Sequence, residues 1–197
     1  MKNTKTQTLT RVALLCALLI LMSFTPLGYM PLGPFAVTFL TIPVIVGALT
    51  SGPATGAFLG FVFGITSFIN AFSNPMGTVF LNINPFYTFI LCVVPRVLEG
   101  FLCGLCYKIL NRNGKDSMLS VIVSSASCPI LNTVLYMSAL VLLFGNTEYI
   151  LNMRAGQNIL MFVVTFVGMQ AVVEAVVCTI IGAAVSIAII KFLKSRK

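Results

Sequence analysis

Histidine is missing from this chain of 197 residues, and Asp plus Glu total only 4. Those two shortages exclude His-ligated zinc, a Ser-His-Asp triad and any site built on a carboxylate cluster. There is no G-x-x-x-x-G-K-[ST] stretch, so the chain has no P-loop of its own with which to hydrolyse ATP. Charge is scarce as well. Asp, Glu, Lys and Arg make up 8% of the residues, against about 25% in an ordinary soluble domain. Too little charge remains to coat a water-facing surface. What is present in abundance is apolar: 58% of the residues, with a mean hydropathy of +1.05. The expected solvent is a lipid bilayer.

Six hydrophobic segments are expected, at about 9–27, 35–50, 53–71, 85–110, 117–145 and 158–192. A helix rises 1.5 Å per residue, so roughly 20 residues cross an apolar layer about 30 Å thick. The second and third segments are short and are divided at Gly52-Pro53, where a proline ends one helix and opens the next. The last two are long enough to tilt or protrude. The first segment is too long for a cleavable signal and has no A-x-A-like site before Pro26. Without a linker, low-complexity stretch or repeat, residues 1–197 are expected to form one domain.

The net charge of +8 is concentrated. Lys2, Lys5 and Arg11 precede the first segment; Lys108, Arg112 and Lys115 follow the fourth; Lys191, Lys194, Arg196 and Lys197 end the chain. With six spans these regions share one side, and the positive-inside rule makes it the cytoplasm, with both termini there. Topology and anionic lipid headgroups account for these charges, so no nucleic-acid partner is expected. The opposite loops, about 28–34, 72–84 and 146–157, hold Gly28, Pro31, Asn74-Pro75, Asn84-Pro85 and Gly156, and form the expected ligand entrance.

Several spacings carry chemistry. Ala13 and Ala17 make a smooth stripe four residues apart, suited to close approach of another helix, in this chain or in a partner. Gly52, Gly56, Gly60 and Gly64 form a face without side chains, for packing inside the bundle or for backbone approach to a ligand. Gln170, Glu174, Cys178, Gly182 and Ser186 recur every fourth residue and should face protein rather than lipid. An ionised carboxylate at Glu174 would need a partner or take up a proton.

Arg96 lies 11 residues beyond Pro85, roughly 16 Å along a helix and near mid-membrane. It keeps its proton, so it is either ion-paired with Glu99 or Glu174, or holds an anionic or hydrogen-bonding ligand. Pro95 frees a backbone carbonyl beside it. Asn132 and Tyr136 are spaced i, i+4, and Asn158 opens the sixth segment; each can bridge helices or read a ligand. Cys103 and Cys106 spell C-x-x-C inside an apolar helix with no second ligand pair. Packing, not metal or redox work, is expected of them, and no disulfides are expected.

With these residues in place, the chain resembles a known family: the substrate-binding S components of energy-coupling factor (ECF) vitamin transporters. The resemblance covers nearly the whole length. Its most telling piece is Ala13-x-x-x-Ala17 at the start of the first helix, which in the family docks onto the shared transmembrane T component. A second piece runs through Gly28-Tyr29-Met30-Pro31-Leu32-Gly33-Pro34, Thr38 and Ile42-Pro43-Val44-Ile45-Val46-Gly47-Ala48, then Gly52-Pro53, Gly56, Gly60, Phe63-Gly64 and Ser67. It is similar to the group that includes pantothenate-specific members, and the aromatic-rich first loop of riboflavin-specific members is not evident. Pro95-Arg96-Val97-Leu98-x-Gly100 belongs to the broad group and is either architectural or substrate-reading.

The resemblance implies an all-α, compact six-helix bundle in the bacterial plasma membrane. It implies high-affinity vitamin binding near the outer face, with the first outer loop as a lid. Two cytoplasmic ATPases and the T component would complete an uptake transporter in which the S component topples to deliver its cargo. No enzyme activity, metal or cofactor is expected of this chain. The expected substrate contacts are Tyr29, Thr38, Arg96, Asn132, Tyr136, Asn158 and Glu174, with pantothenate as the favoured cargo and riboflavin or another vitamin precursor as the alternative. Two other classes are weighed against this. A stand-alone proton-driven carrier would use Arg96, Glu99 and Glu174 as a relay, but shows no inverted repeat. An intramembrane enzyme would need a Ser or Cys nucleophile without a histidine.

Overall fold

A computed structural model describes residues 4–195 apart from 27, 33–34, 112–116 and 155–157. The elements run α1 (Thr4–Ser23), β1 (Tyr29–Leu32), β2 (Phe35–Thr38), α2 (Thr41–Ser51), α3 (Pro53–Ala71), α4 (Pro75–Ile83), α5 (Pro85–Leu110), α6 (Met118–Phe144), α7 (Glu148–Arg154) and α8 (Ile159–Ser195). Among the described residues, five helices are long and apolar enough to cross a membrane: α1, α3, α5, α6 and α8. The sixth apolar helix, α2, has only 11 residues.

The expected second segment splits. Residues 35–38 are a strand that pairs antiparallel with β1, and the helix begins only at Thr41. The hairpin is thus an addition to the expected helices. Two further helices, α4 and α7, replace what was expected to be loop at 72–84 and 146–157. Both Asn-Pro pairs read as turns are helix starts. The Asn74 side chain accepts from the Met76 N–H, and that of Asn84 from the N–H groups of Phe86 and Tyr87, with the proline at the first helical position each time.

Short α2 is the centre of the molecule. Leu40, Val44, Ile45 and Ala48 are fully buried, in one core with Leu19, Leu59, Phe63, Cys103, Cys128 and Cys178. Its end is set by Gly52, whose φ of 98° favours glycine and reverses the chain into Pro53. A second core of Phe80, Leu91, Met137, Leu140, Phe144 and Ile150 ties α4, α5, α6 and α7 together at the end that carries the hairpin.

The glycine run takes its packing role. A Cβ on Gly56 would collide with the Gly100 carbonyl, one on Gly60 with the Arg96 carbonyl, and one on Gly64 would lie 2.7 Å from the Val93 Cα. Backbone therefore meets backbone along the α3–α5 seam. The stripe on α8 is turned inward: Glu174, Cys178, Gly182 and Ser186 are buried, and Gly182 sits over Ile45. In contrast, Ala13 and Ala17 are exposed, among exposed Leu9, Leu14, Leu18 and Leu21. The α1 stripe is not used for packing within this chain.

Candidate functional site

One cavity of about 630 Å³ opens between the hairpin and α3, α4, α5, α6 and α8. That volume falls within the range of small-molecule sites, about 300–1,000 Å³. Helical spacing builds its walls. Ser67, Asn70 and Ala71 come from α3; Thr88, Cys92 and Arg96 from successive turns of α5; Asn132, Thr133, Tyr136 and Met137 from α6; Gln170 and Glu174 from α8. Tyr29 and Thr38 close one side. They are cross-strand partners in the hairpin, so their side chains leave the same face.

Arg96 is the chemical centre of this cavity. Pro95 has no N–H, which leaves the Leu91 carbonyl without its helical partner. The Arg96 Nη1 donates to that carbonyl at 2.9 Å. The guanidinium carbon lies 4.4 Å from the Tyr136 ring centroid and 5.5 Å from that of Phe63, within cation–π range. Nε is buried without a hydrogen-bond partner. Neither Glu99 nor Glu174 hydrogen bonds to it: both Glu99 oxygens are buried and unpartnered, and Glu174 accepts from the Asn132 Nδ2 at 3.4 Å. The internal ion pair weighed from the sequence is therefore not what holds Arg96. A guanidinium with five N–H donors sits 9% exposed, held by one neutral carbonyl and two rings.

The polar atoms left over are complementary in kind. Arg96 offers a donor at Nε, and Asn132 offers an acceptor at Oδ1, which is also buried and unpartnered. Tyr29 stands opposite, with Ser67 and Asn70 beside its hydroxyl. Burial pushes its phenol up from the usual range and the positive charge of Arg96 pulls it part of the way back, so it remains a neutral hydroxyl at physiological pH. Together these groups suit a small molecule with an acidic end and hydroxyl or amide groups elsewhere.

The chain matches the family described as "ECF transporter, substrate-specific component" over residues 7–186. It belongs to that family. The S component is 32% identical over 160 residues to the pantothenic acid transporter PanT of Lactococcus lactis subsp. cremoris, a match covering 75% of this chain and 79% of the relative. It is 33% identical over 120 residues to the pantothenate transporter PanT of Leuconostoc mesenteroides subsp. mesenteroides, covering 57% and 56% of the two chains. A solved structure of ThiT from Listeria monocytogenes superimposes with a TM-score of 0.67 over 94% of this chain and 96% of the other, at 18% identity, a likeness of fold. This S component is thus a multi-pass protein of the plasma membrane and a transporter subunit rather than an enzyme.

Of the seven residues expected to contact substrate, Tyr29, Thr38, Arg96, Asn132, Tyr136 and Glu174 line the cavity. Asn158 is exposed just before α8 and is not among the lining residues. Reading the chain alone did not pick out Asn70, Ser73, Thr88 or Thr133, which also line it. The i, i+4, i+8 spacing of Thr88, Cys92 and Arg96 was the available signal. Cys103 is buried and its thiol donates to the Ser124 carbonyl at 3.2 Å, a packing role in the α5–α6 contact.

Proposed function

We propose that this S component binds pantothenate in the 630 Å³ cavity and serves ATP-driven uptake with a T component and two cytoplasmic ATPases. The observation that carries the reading is the Arg96 guanidinium, lining a cavity with no carboxylate among the described residues hydrogen-bonded to it. The vitamin's carboxylate would complete its donors. Pantothenate's hydroxyl and amide groups would meet Asn132, Tyr29 and Thr38, with Tyr136 and Glu174 on the same walls. The 32% identity to a pantothenic acid transporter supports this cargo over other vitamins.

The bundle would cross the membrane six times, with α2 as a short buried sixth span and both termini in the cytoplasm. The gathering of ten of the twelve Lys and Arg residues into three regions supports that orientation. The exposed Ala13–Ala17 stripe on α1 would be the docking surface for the T component.

The test is equilibrium binding of radiolabelled pantothenate to the purified, detergent-solubilised chain, with unlabelled pantothenate, riboflavin and thiamine as competitors. Displacement by pantothenate alone is expected. Displacement by riboflavin or thiamine at equal concentration would overturn the cargo, and uptake in cells lacking the partner ATPases would overturn the energy source.

A further inference from the structure

Pro95 and Arg96 are adjacent in α5, and each supplies what the other lacks. In a regular helix the N–H of residue 95 would donate to the carbonyl of Leu91. Proline has no N–H, and its ring crowds that carbonyl. Leu91 is 1% exposed, so its carbonyl is shut away from water and needs a donor from the protein. The Arg96 Nη1 is that donor, at 2.9 Å and five residues along the same helix. The side chain thus takes the place that the backbone ladder leaves vacant.

Three helices fix the guanidinium. The Leu91 carbonyl holds it from α5, the Tyr136 ring from α6 and the Phe63 ring from α3, the two centroids 4.4 and 5.5 Å from the guanidinium carbon. A helical side chain leans toward the N-terminus of its helix, so the anchor draws Arg96 back along the cavity wall that Cys92 and Thr88 share with it. Nε is left over, buried and without a hydrogen-bond partner. A long side chain ordinarily loses rotamer freedom when it meets a ligand. Here that freedom is already lost on folding.

We propose that Pro95 is a positioning residue: by removing the N–H that would occupy the Leu91 carbonyl, it makes that carbonyl the anchor that holds Arg96 ready for the ligand's anionic end. The consequence for binding rests on the reading of Arg96 as the receptor of the pantothenate carboxylate; the anchor itself does not. The helix gives up one bond of its ladder, and the site gains a cation that is in place before the ligand arrives.

Pro95→Ala restores the N–H, which closes the helical bond to Leu91 and displaces the arginine. Alanine is also the better residue inside a helix. The variant should therefore melt at or above the wild-type temperature while binding pantothenate roughly tenfold more weakly. Pro95→Val restores the same N–H with a volume nearer that of the ring, and covers the case in which the alanine variant does not fold.

Two further readouts separate positioning from a merely structural role. In an Arg96→Gln background, Pro95→Ala should change pantothenate affinity by less than about threefold, because the group it positions is gone. In ligand-free protein carrying isotope-labelled arginine, the side-chain magnetic resonance signals that vanish in Arg96→Gln should show the slow guanidinium rotation of an anchored group. Pro95→Ala should return them to the averaged signals of a free arginine. Affinity within about threefold of wild type in Pro95→Ala, equal losses with and without Arg96, or unchanged arginine signals would each overturn the proposal. Should wild-type protein not bind pantothenate, the cargo reading fails while the arginine signals still decide the anchor.

Discussion

Helix α5 has two faces with opposite economies. Toward α3 it is stripped of side chains. Gly100 meets the Gly56 carbonyl, Gly60 meets the Arg96 carbonyl, and Gly104 lies against Pro53, so the two backbones touch. Toward the cavity it carries Thr88, Cys92 and Arg96, with a donor left unmet. The first face has no room for a methyl group. The second has a cavity of about 630 Å³. The difference shows how a membrane protein keeps an unsatisfied charge in place. With no hydrophobic force between helices in lipid, rigidity comes from close packing, and the tight seam anchors the backbone from which Arg96 projects.

The largest effect should come from filling the seam. Gly60→Leu puts a branched side chain against the Arg96 carbonyl, and neither helix can move without opening the core around Phe63. A loss of about 3 kcal/mol is expected, read as a marked fall in melting temperature in detergent together with loss of pantothenate binding. A variant that melts like wild type would show that the seam is looser than the backbone contacts indicate.

Arg96→Gln addresses the other face. It removes the charge and keeps a polar group, so folding should persist while pantothenate affinity falls roughly 10- to 150-fold, the equivalent of about 1.5–3 kcal/mol. Isothermal titration beside thermal melting measures both. Unchanged affinity would take Arg96 out of the binding site.

Glu99→Gln sharpens the contrast between the two carboxylates near Arg96. Glu99 is fully buried with both oxygens unpartnered, so exchanging it for a neutral isostere removes no hydrogen bond. Melting temperature should be unchanged or higher, and affinity should hold within about threefold, the range of a change under 0.7 kcal/mol. A drop in stability would reveal an ion pair that the geometry does not contain.

Ala13→Leu with Ala17→Leu should have the smallest effect on the isolated chain, because both positions are exposed on α1: stability within about 0.5 kcal/mol and unchanged binding. Co-purification with the T component and ATPases should be lost, and its persistence would remove α1 from the docking surface.

Much of the fold was legible before any coordinates. Long apolar runs declare helices because a backbone in lipid must bond to itself, and five of them stand within a few residues of where they were expected. Gly52-Pro53 marked the reversal between α2 and α3, since a positive φ and a missing N–H are local properties of those two residues. The hairpin was not legible. Residues 35–38 are as apolar as the helix that follows them, and their pairing depends on β1 across the turn. Helices α4 and α7 were hidden for a related reason: 9 and 7 residues are too short to show a period, and the Asn74-Pro75 pair that opens α4 reads equally as turn or cap.

By itself, then, the chain determined its solvent, its long apolar helices and the presence of a guanidinium near mid-membrane, because these follow from composition and from spacing along one element. Tertiary structure alone decided what Arg96 touches. Its partners, the Tyr136 and Phe63 rings, come from other helices, and so does the Asn132 side chain that donates to Glu174. An ion pair and an open ligand receptor have the same spacing in sequence. They differ only in the angle at which helices meet, and that angle is set by packing between residues far apart in the chain, here the glycines of α3 against the backbone of α5.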